Sequence, residues 1–473
     1  MPERRAPPRS AEPGPSPVGT GAAISALSID LYQLTMAQAY LREGLLEPAV
    51  FSLHYRTLPP TRNYVLACGL DDALSYLESL RFTAADLDVL ARLGGFSDVF
   101  LRWLETFRFR GSVWAMPEGT PTFPDEPLLE IEASLPEAQL VETVVMNQVH
   151  LQSVLASKAA RVVAAAAGRS VIDFGMRRMH GLDAAAKGVR AFYVAGVDAT
   201  SNVAAGERYG VPVTGTMAHS YVQAHDDEAS AFRELAALYP DTVLLVDTYD
   251  TLEGVRKVIE LARSLGADFR VRGVRLDSGD LGDLARRSRD LLDAAGLKQV
   301  RIVASGGLDE NEIASLIAEG APIDSFGVGT TMGAASDAPT LDMAYKLTAY
   351  AGRGRLKLSP GKRVLPGRKQ VFRRERGGAA EGDVLARAGE TQEGRPLLAQ
   401  VMTGGERIAA GRISLDEARE RARDEIAHLP ARFRGLAPAR PGYPVTISDG
   451  LLALEAEVAR NATEGQNPGG EYP

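Results

Sequence analysis

Cysteine is almost absent from this chain: Cys68 is the only one among 473 residues. An intramolecular disulfide is therefore excluded, and so is a zinc site built from several cysteines. A single cysteine is typical of a protein that stays in a reducing compartment, so we expect a cytoplasmic location.

Long apolar runs and an excess of positive charge are missing as well. No stretch of about 18 apolar residues occurs, so we expect no membrane-spanning helix and no membrane partner. The net charge is -8, with 53 Lys and Arg against 61 Asp and Glu, so nothing predicts binding to nucleic acid. The hydrophobic content of 45% is ordinary for a globular protein with a substantial core.

The chain divides into four parts by composition and hydrophobic pattern. Residues 1–25 are rich in Pro, Ser, Gly and Ala and lack the apolar stretch of a signal peptide, which predicts a disordered extension. Residues 26–136 mix helical and strand patterns and predict an α+β domain. Residues 137–346 predict a catalytic α/β-barrel domain, and we expect residues 347–473 to pack back on the N-terminal domain.

Short apolar runs predict the strands of this barrel. They lie at residues 171–174, 211–214, 243–246, 271–274, 300–303 and 325–328. Amphipathic helices separate several of them, which is the rhythm of βαβ units and a parallel sheet. About six such units favour an irregular, TIM-like parallel α/β barrel, with a doubly wound sheet as the alternative.

Polar and glycine residues follow each predicted strand. These turns are residues 173–178, 214–219, 247–250, 275–280, 305–307 and 327–331. In parallel α/β barrels the active site is built from the loops at the carboxyl ends of the strands. Their Arg, Asp, His, Thr and Gly residues suit phosphate and sugar chemistry, so the convergence of these turns predicts an active site there.

Two glycine-containing turns, Ser305-Gly306-Gly307 and Gly327-Val328-Gly329, come late in the strand series. Barrel enzymes often bind phosphate at this position, where glycine lets the backbone approach phosphate oxygens. The alternative for each turn is a tight loop without a ligand, but their joint placement favours phosphate. Arg177 lies beside a glycine at an earlier strand end and predicts another anion site, with a solvated cation as the alternative.

Arg275 and Asp277 lie on one turn. An arginine can bind a carboxylate or phosphate with two hydrogen bonds, while an aspartate can hold ribose hydroxyls or a magnesium–pyrophosphate complex. The alternative is a structural salt bridge at the end of a strand.

His219 is one of six histidines and follows a Thr-Gly-Thr turn, with Asp247 at the end of a later strand. A carboxylate that accepts a hydrogen bond from one imidazole nitrogen fixes the tautomer and leaves the other nitrogen nucleophilic. A structural histidine is the more common alternative, and we expect that role for His54, His150 and His428.

Together these motifs resemble the nicotinate phosphoribosyltransferases, a type II phosphoribosyltransferase family, over nearly the full chain from about residue 26. The motifs are Asp30 to Met36, Asp173 to Arg178, Gly196 to Val203, Gly215 to Ser220, Val274 to Asp280, Ser305 to Gly307 and Gly327 to Thr330. The resemblance implies a type II barrel with a separate α+β domain formed by the N-terminal and C-terminal segments. It also implies an ATP-coupled, ligase-type enzyme of NAD salvage that makes nicotinate mononucleotide and pyrophosphate from nicotinate and phosphoribosyl pyrophosphate.

The resemblance assigns ATP coupling to His219, which would be phosphorylated while Asp247 orients its ring. Tyr32 would stack on the nicotinate ring of a neighbouring subunit, since the family builds its active sites across a homodimer. The small-molecule partners implied are nicotinate, phosphoribosyl pyrophosphate and ATP, with Mg²⁺ as the cofactor.

Nicotinate would contact Thr216 and Arg275, and Phe174 would give a second stacking face. Nicotinamide-using relatives carry an aspartate near the position of Ser201. An aspartate there would repel a carboxylate, so Ser201 favours nicotinate over nicotinamide. Asp277 would hold the ribose or, indirectly, the magnesium–pyrophosphate complex. The residues that would bind the phosphate groups are Arg177, Ser305, Gly306, Gly307, Gly327, Gly329 and Thr330.

Three alternatives stay open. A quinolinate phosphoribosyltransferase shares the barrel type, but it binds two carboxylates and needs a denser cluster of basic residues. A nicotinamide phosphoribosyltransferase differs in the pyridine that it accepts. A non-catalytic relative that only binds pyridine nucleotides is also compatible with the barrel, although the intact His219, Arg275 and Asp277 argue against it.

Overall fold

The computed structural model describes residues 24–359 and 363–464. The predicted extension 1–25 therefore lies outside the described residues, apart from its last two. The α-helices are α1 (Leu31–Glu43), α2 (Leu70–Ser79), α3 (Ala84–Leu93), α4 (Asp98–Glu105), α5 (Leu135–Leu140), α6 (Glu142–Ala165), α7 (Leu182–Val194), α8 (Val203–Tyr209), α9 (His219–Gln223), α10 (Glu228–Leu238), α11 (Thr251–Leu265), α12 (Leu281–Ala294), α13 (Glu310–Ala318), α14 (Thr330–Gly333), α15 (Leu415–His428), α16 (Ala431–Arg434) and α17 (Asp449–Glu464). The strands are β1 (Pro48–Tyr55), β2 (Val65–Leu66), β3 (Ser112–Ala115), β4 (Pro121–Thr122), β5 (Pro127–Ser134), β6 (Ser170–Asp173), β7 (Ala199–Thr200), β8 (Val243–Leu245), β9 (Gly273–Leu276), β10 (Arg301–Ala304), β11 (Ser325–Val328), β12 (Met343–Tyr350), β13 (Arg353–Gly354), β14 (Lys369–Arg376), β15 (Ala379–Arg387), β16 (Arg395–Pro396), β17 (Ala399–Thr403), β18 (Glu406–Arg407) and β19 (Val445–Ile447).

A parallel sheet of six strands forms the barrel part of the molecule, in the order β7-β6-β11-β10-β9-β8. Its strands are short and apolar because helices cover them, as in other parallel sheets. Three of the helices that follow these strands begin at a capping aspartate, namely Asp250 before α11, Asp280 before α12 and Asp309 before α13. Each capping aspartate accepts a hydrogen bond from a backbone N–H group in the first turn of its helix. The cap therefore fixes where the turn after the strand ends and the helix begins.

The predicted strand at residues 211–214 is the main departure within this sheet. Only one parallel bridge, between Val213 and Thr200, joins this segment to the edge of the sheet. The neighbour of β6 is instead the two-residue strand β7, which is too short to leave a hydrophobic pattern in the sequence. Among the described residues no pairing joins β8 to segment 211–214, so the sheet curls into an open half-barrel.

A separate seven-stranded sheet combines both ends of the chain, in the order β13-β12-β1-β5-β3-β17-β18. The central strand β1 pairs antiparallel with β5 on one side and with β12 on the other. Strand β3 pairs with β17, which comes from the C-terminal segment. The predicted fold class, a parallel α/β barrel with a separate α+β domain from both chain ends, is confirmed. The division of the chain at residues 136 and 346 stays a prediction.

The hairpin of β14 and β15 has no counterpart among the predicted elements. Its turn uses Gly377 and Gly378, which both have positive φ angles (60° and 80°), as tight hairpin turns require. The two strands carry charged residues at positions that are buried in the structure. The Arg373 side chain, 1% exposed, pairs with Asp383 at 2.8 Å. A hydrophobic pattern cannot reveal a strand whose buried positions carry an ion pair.

Helix α6 lies between the two parts of the molecule. On one side its Ser153 and Ser157 hydroxyls accept the backbone N–H groups of Cys68 and Leu66, at 3.1 and 2.9 Å. On the other side α6 packs against α7 and α13 of the half-barrel. Although α6 has 24 residues, no helix within residues 24–359 and 363–464 is long and apolar enough to cross a membrane.

Candidate active site

Arg275 occupies the centre of the carboxyl edge of the parallel sheet. It lies inside β9, in register with Val303 of β10 and Leu245 of β8. Its Nη1 donates to Thr216 Oγ1 at 2.5 Å and its Nη2 donates to the Met217 carbonyl at 3.1 Å. Burial lowers the pKa of Arg275, with Asp277 and Asp247 acting in the opposite direction. The guanidinium stays charged, and its buried Nε has no hydrogen-bond partner among the described residues.

Phe174 follows β6 and lies beside this cation. The Arg275 Cζ atom is 5.9 Å from the centroid of the Phe174 ring. Gly327, inside the neighbouring strand β11, makes room for the ring, since a Cβ atom there would lie 2.4 Å from Phe174 Cε2. The sheet edge therefore presents an aromatic face and a cation together, which suits a flat, anionic ring.

His219 is the first residue of α9, and its side chain is 40% exposed. Its Nδ1 lies 3.2 Å from Thr248 Oγ1, and its Nε2 lies 3.8 Å from Asp277 Oδ2. Thr248 thus makes the ring contact that the resemblance assigned to Asp247. Among the described residues, no hydrogen bond or ion pair joins Asp247 to the imidazole of His219.

Asp247 instead binds the turn that follows β9. Its Oδ2 accepts the Asp277 backbone N–H at 3.0 Å and the Ser278 hydroxyl at 2.6 Å. Its Oδ1 is buried and has no hydrogen-bond partner among the described residues. Asp277 Oδ1 in turn accepts the Ser305 hydroxyl at 2.5 Å. Two carboxylates therefore lie along the ends of β8 and β9, with unused oxygens of the kind that Mg²⁺ prefers.

No group of three or more His, Cys, Asp or Glu residues in residues 24–359 and 363–464 is arranged to hold a metal ion. Asp247 and Asp277 are the carboxylates at this edge that could contact a magnesium ion. The indirect magnesium contact that the resemblance implies for Asp277 stays a prediction.

The turn after β10 packs against Asp277. Gly306 has a φ angle of 92°, and a Cβ atom there would lie 1.8 Å from the Asp277 carbonyl oxygen. Gly307 also has a positive φ angle, 71°, but a Cβ atom there would meet nothing within 4 Å. Ser305 is buried. The turn is therefore fixed at Ser305 and Gly306, while the backbone at Gly307 is open to a ligand.

The turns after β6 and β11 are neighbours in the sheet. Gly329 precedes α14, and a Cβ atom there would lie 3.2 Å from the Phe174 carbonyl oxygen. Thr330 is exposed, and its hydroxyl accepts a hydrogen bond from Arg178 Nη1 at 3.0 Å. Arg177 is also exposed and close enough to Arg275 to act on its pKa. These turns bring cations, a hydroxyl and a glycine backbone to one edge.

Asp173 and Thr200 are functional candidates that the sequence argument did not single out. The Asp173 carboxylate is buried and accepts the Gly175 N–H at 2.8 Å and the Thr200 hydroxyl at 2.7 Å. Burial raises the pKa of Asp173. The half-buried Ser201 donates its N–H to the Asp173 carbonyl at 2.9 Å. Asp173 thus joins the turn that carries Phe174 to the turn that carries Ser201. In the sequence, the position of Asp173 at the end of a predicted strand was the signal that could have identified it.

Tyr32 lies apart from the other predicted site residues. It is 46% exposed, its hydroxyl accepts from Gln33 Nε2 at 3.3 Å, and burial together with Glu142 raises its pKa. Tyr32 lies beside Glu142, the first residue of α6. The candidate site lies near the other part of this helix, where Lys158 pairs with Glu310 next to the turn after β10. The 16 residues from Glu142 to Lys158 span roughly 24 Å of helix, so Tyr32 is remote from the site of its own chain.

The fold and the site define a class of enzyme. A curled parallel sheet places an arginine, an aromatic face, two carboxylates and glycine turns at one edge, where α/β-barrel enzymes bind phosphorylated substrates. This combination is that of an α/β-barrel phosphoribosyltransferase.

Comparison with known proteins identifies the family. Residues 27–150 match the model of the nicotinate phosphoribosyltransferase N-terminal domain, and residues 169–370 match the model of the nicotinate phosphoribosyltransferase family. The chain is 56% identical over 446 residues to nicotinate phosphoribosyltransferase pncB2 of Mycobacterium tuberculosis, covering 94% of this chain and 96% of that protein. The chain belongs to the nicotinate phosphoribosyltransferase family.

Two further similarities agree with this assignment. The nicotinate phosphoribosyltransferase of Bacillus subtilis is 43% identical over 370 residues, which is 76% of each chain. The crystal structure of human nicotinic acid phosphoribosyltransferase superposes with a TM-score of 0.81 at 30% identity, covering 91% of this chain and 99% of the human one.

Proposed function

We propose that this protein transfers the phosphoribosyl group of phosphoribosyl pyrophosphate to nicotinate, with ATP hydrolysis coupled through a phosphohistidine at His219. The observation that carries the proposal is the arrangement around Arg275: a half-buried guanidinium, whose Nε has no hydrogen-bond partner among the described residues, beside the ring of Phe174. The reaction belongs to NAD salvage. The reducing cytoplasm is the proposed location, since Cys68 is buried and free.

Nicotinate binds beside Phe174 and Arg275 in this proposal. Its carboxylate pairs with the guanidinium, and Thr216, which already accepts from Arg275 at 2.5 Å, holds that guanidinium in place. Ser201 adds no negative charge beside the carboxylate, which favours nicotinate over nicotinamide. The pyridine nitrogen has a free lone pair and needs no general base, so the protein's task is to orient the ring towards the sugar.

Phosphoribosyl pyrophosphate binds along the ends of β9, β10, β11 and β6. The phosphate groups meet the open backbone at Gly307, the backbone at Gly329, the hydroxyl of Thr330 and the exposed cation of Arg177. Ser305 holds this turn through its buried hydroxyl, which donates to Asp277, while Gly306 and Gly327 shape the turn and the strand. The carboxylates of Asp277 and Asp247 would contact a magnesium ion bound to the pyrophosphate group, and the ion would neutralise charge on that leaving group. As the bond to pyrophosphate breaks, the sugar becomes cationic, and the carboxylate of Asp277 stabilises that charge.

His219 accepts the γ-phosphoryl group of ATP. With Nδ1–H donating to Thr248 Oγ1, which lies 3.2 Å away, Nε2 carries the lone pair that attacks phosphorus. The new N–P bond forms as the bond from phosphorus to the departing ADP oxygen breaks, and water later removes the phosphoryl group. Nε2 faces Asp277 at 3.8 Å, so the phosphoryl group is held at the site of the leaving pyrophosphate.

A second copy of the chain completes the site. Tyr32 is exposed and remote from the site of its own chain, and it therefore serves the nicotinate ring of a partner. The carboxyl edge carries exposed apolar side chains that suit such a contact, namely Leu182, Val203 and Tyr249, which are 73%, 69% and 66% exposed. The proposed assembly is a homodimer with twofold symmetry.

A product assay tests the function. The full chain is offered phosphoribosyl pyrophosphate and magnesium with nicotinate, nicotinamide or quinolinate, each with and without ATP, and the mononucleotide is measured. We expect nicotinate mononucleotide and pyrophosphate from nicotinate, with ATP hydrolysis and stimulation by ATP. A preference for quinolinate or nicotinamide would replace the proposed substrate. Binding of nicotinate mononucleotide without turnover of any pyridine would support a non-catalytic relative.

A further inference from the structure

Lys158 is a buried cation at a junction of the molecule. It lies on α6, and its side chain is 1% exposed. Its Nζ forms ion pairs with Glu310 Oε2 and, at 3.0 Å, with Asp337 Oδ1. Among the described residues Lys158 is the one cation that forms ion pairs with both carboxylates. Buried lysines are rare unless paired, so this arrangement calls for an explanation.

The two carboxylates lie a short way along the chain from the two glycine turns of the candidate site. Glu310 is the first residue of α13, three residues after Gly307. Asp337 follows α14, whose first residue is Thr330. Because α13 and α14 begin at these turns, the position of each carboxylate is linked to the position of a turn. Through these two ion pairs, Lys158 connects the segment that follows the β10 turn with the segment that follows the β11 turn.

Two arginines attach the same carboxylates to the β-sheet domain. Arg161 Nε pairs with Glu310 Oε1 at 2.8 Å, and its Nη1 donates to the carbonyls of Thr61 and Leu436 at 2.5 and 3.0 Å. Arg62 pairs with Asp337 at 2.8 Å. Burial alone raises the pKa of Asp337, but Arg62 and Lys158 outweigh this effect and hold the pKa below its ordinary value. Each carboxylate thus keeps an arginine of its own.

We propose that Lys158 is a positioning residue for phosphate binding: it fixes the distance between the turns at Ser305–Gly307 and Gly329–Thr330 by joining the carboxylates behind them. This inference rests on the proposed function, in which both turns bind phosphate groups of phosphoribosyl pyrophosphate. Hydrophobic residues of similar volume often replace a buried ion pair without loss of stability. A cation between carboxylates from two different loops has the additional effect of selecting one arrangement of those loops.

The variant Lys158→Met tests this role. It keeps the volume and the apolar stem but removes the bridge, while Arg161 and Arg62 still neutralise Glu310 and Asp337. We expect KM for phosphoribosyl pyrophosphate to rise on the order of ten-fold, because a small displacement of positioning groups is costly. KM for nicotinate should change less than about two-fold, since Arg275 and Phe174 do not contact this network.

The matched control is Arg373→Met, which breaks the Arg373–Asp383 pair in the β14–β15 hairpin. That pair is as deeply buried, with side chains 1% and 0% exposed, but it lies outside the half-barrel. We expect Arg373→Met to lower the melting temperature without changing the ratio of the two KM values. If Lys158→Met does not fold, Asp337→Asn, at a carboxylate that is 19% exposed, is the milder variant and should raise the same KM about three-fold.

Equal changes of both KM values in Lys158→Met, unchanged KM values, or the same KM split in Arg373→Met would overturn the positioning role. Failure of the proposed function is a different result, because the wild-type protein would then give no mononucleotide from nicotinate. An active wild-type enzyme with an unaffected Lys158→Met variant would reject the inference alone.

Discussion

Nδ1 of His219 lies 3.2 Å from the hydroxyl oxygen of Thr248, while Nε2 of the same ring faces Asp277 at 3.8 Å. The hydroxyl can accept Nδ1–H and so fix the tautomer in which Nε2 is unprotonated and nucleophilic. A neutral hydroxyl group fixes the tautomer without strongly increasing the basicity of the imidazole ring, as a carboxylate partner would. The proposed phosphoryl acceptor is therefore oriented by Thr248, and Asp247 holds the Asp277 turn.

Replacement of Thr248 should weaken ATP coupling without abolishing phosphoribosyl transfer. Thr248→Val keeps the shape and removes one hydrogen bond, so we expect ATP stimulation to fall about three- to ten-fold. His219→Ala should remove the stimulation entirely and leave slow, ATP-independent transfer. The measurement is nicotinate mononucleotide formed per ATP hydrolysed. Stimulation by ATP that survives in His219→Ala would contradict the phosphohistidine.

Arg275 should determine the affinity for the pyridine carboxylate. In Arg275→Ala the nicotinate carboxylate loses its charged partner, and we expect kcat/KM for nicotinate to fall on the order of 100-fold. Arg275→Lys should rescue little, because an ammonium group cannot bind Thr216, Met217 and a carboxylate in the same planar arrangement. Steady-state kinetics with nicotinate as the varied substrate measure this. Unaltered kinetics in both variants would remove Arg275 from the site.

Gly306, in the turn after β10, should not tolerate a methyl group. In Gly306→Ala the new Cβ would lie 1.8 Å from the Asp277 carbonyl oxygen, so the turn must move and Asp277 with it. We expect loss of activity on the order of 100-fold, mainly through phosphoribosyl pyrophosphate. Gly296→Ala, before β10, is the matched control: Gly296 also has a positive φ angle, 78°, and open space around it, but it lies at the other end of β10 from the site, so only about 1 kcal/mol of backbone strain is added. Equal activities in the two variants would contradict the close approach of Gly306 to Asp277.

Sequence reasoning predicted a site at the strand ends because parallel sheets place these loops at one edge, and the parallel sheet does bring the predicted residues of these loops to that edge. Arg275, Thr216 and Phe174 follow from that rule together with the family resemblance. The contact of Thr248 with His219 does not, because the direction of a side chain after a strand depends on the register of β8, which the pattern leaves uncertain by a residue. Lys158 is also invisible in sequence, since a lone lysine in a helix usually lies in solvent and its partners are more than 150 residues away.

His54 should make the protein sensitive to acid. Burial, followed by Lys369 and Arg56, lowers the pKa of His54 from 6.5 to about 4. The folded state therefore keeps the ring neutral, while the unfolded state binds a proton below pH 6.5, so stability is lost as the pH falls from 6.5 towards 4. At pH 4.5 the loss is roughly 2–3 kcal/mol relative to neutral pH.

Denaturant unfolding of His54→Gln measures this effect. We expect the difference in free energy of unfolding between pH 7 and pH 4.5 to shrink by that amount. His428, an exposed histidine whose Nδ1 lies near the Asp424 carbonyl, supplies the control His428→Gln, which should leave the difference unchanged. An identical pH dependence in His54→Gln and the wild-type protein would show that the His54 ring does not titrate in this way.

Tyr32 and Arg275 should complement each other between subunits. If Tyr32 serves the partner's site, a dimer of one Tyr32→Ala chain and one Arg275→Ala chain holds one site with both residues intact and one with neither. Random pairing of co-expressed chains gives half mixed dimers, each with one of two sites active, so the mixture should recover about a quarter of wild-type activity. Separately purified variants mixed without exchange serve as the control and should stay at the activity of the single variants. If Tyr32 served the site of its own chain, co-expression would give no gain in activity. If Tyr32 had no role, the Tyr32→Ala homodimer would be active.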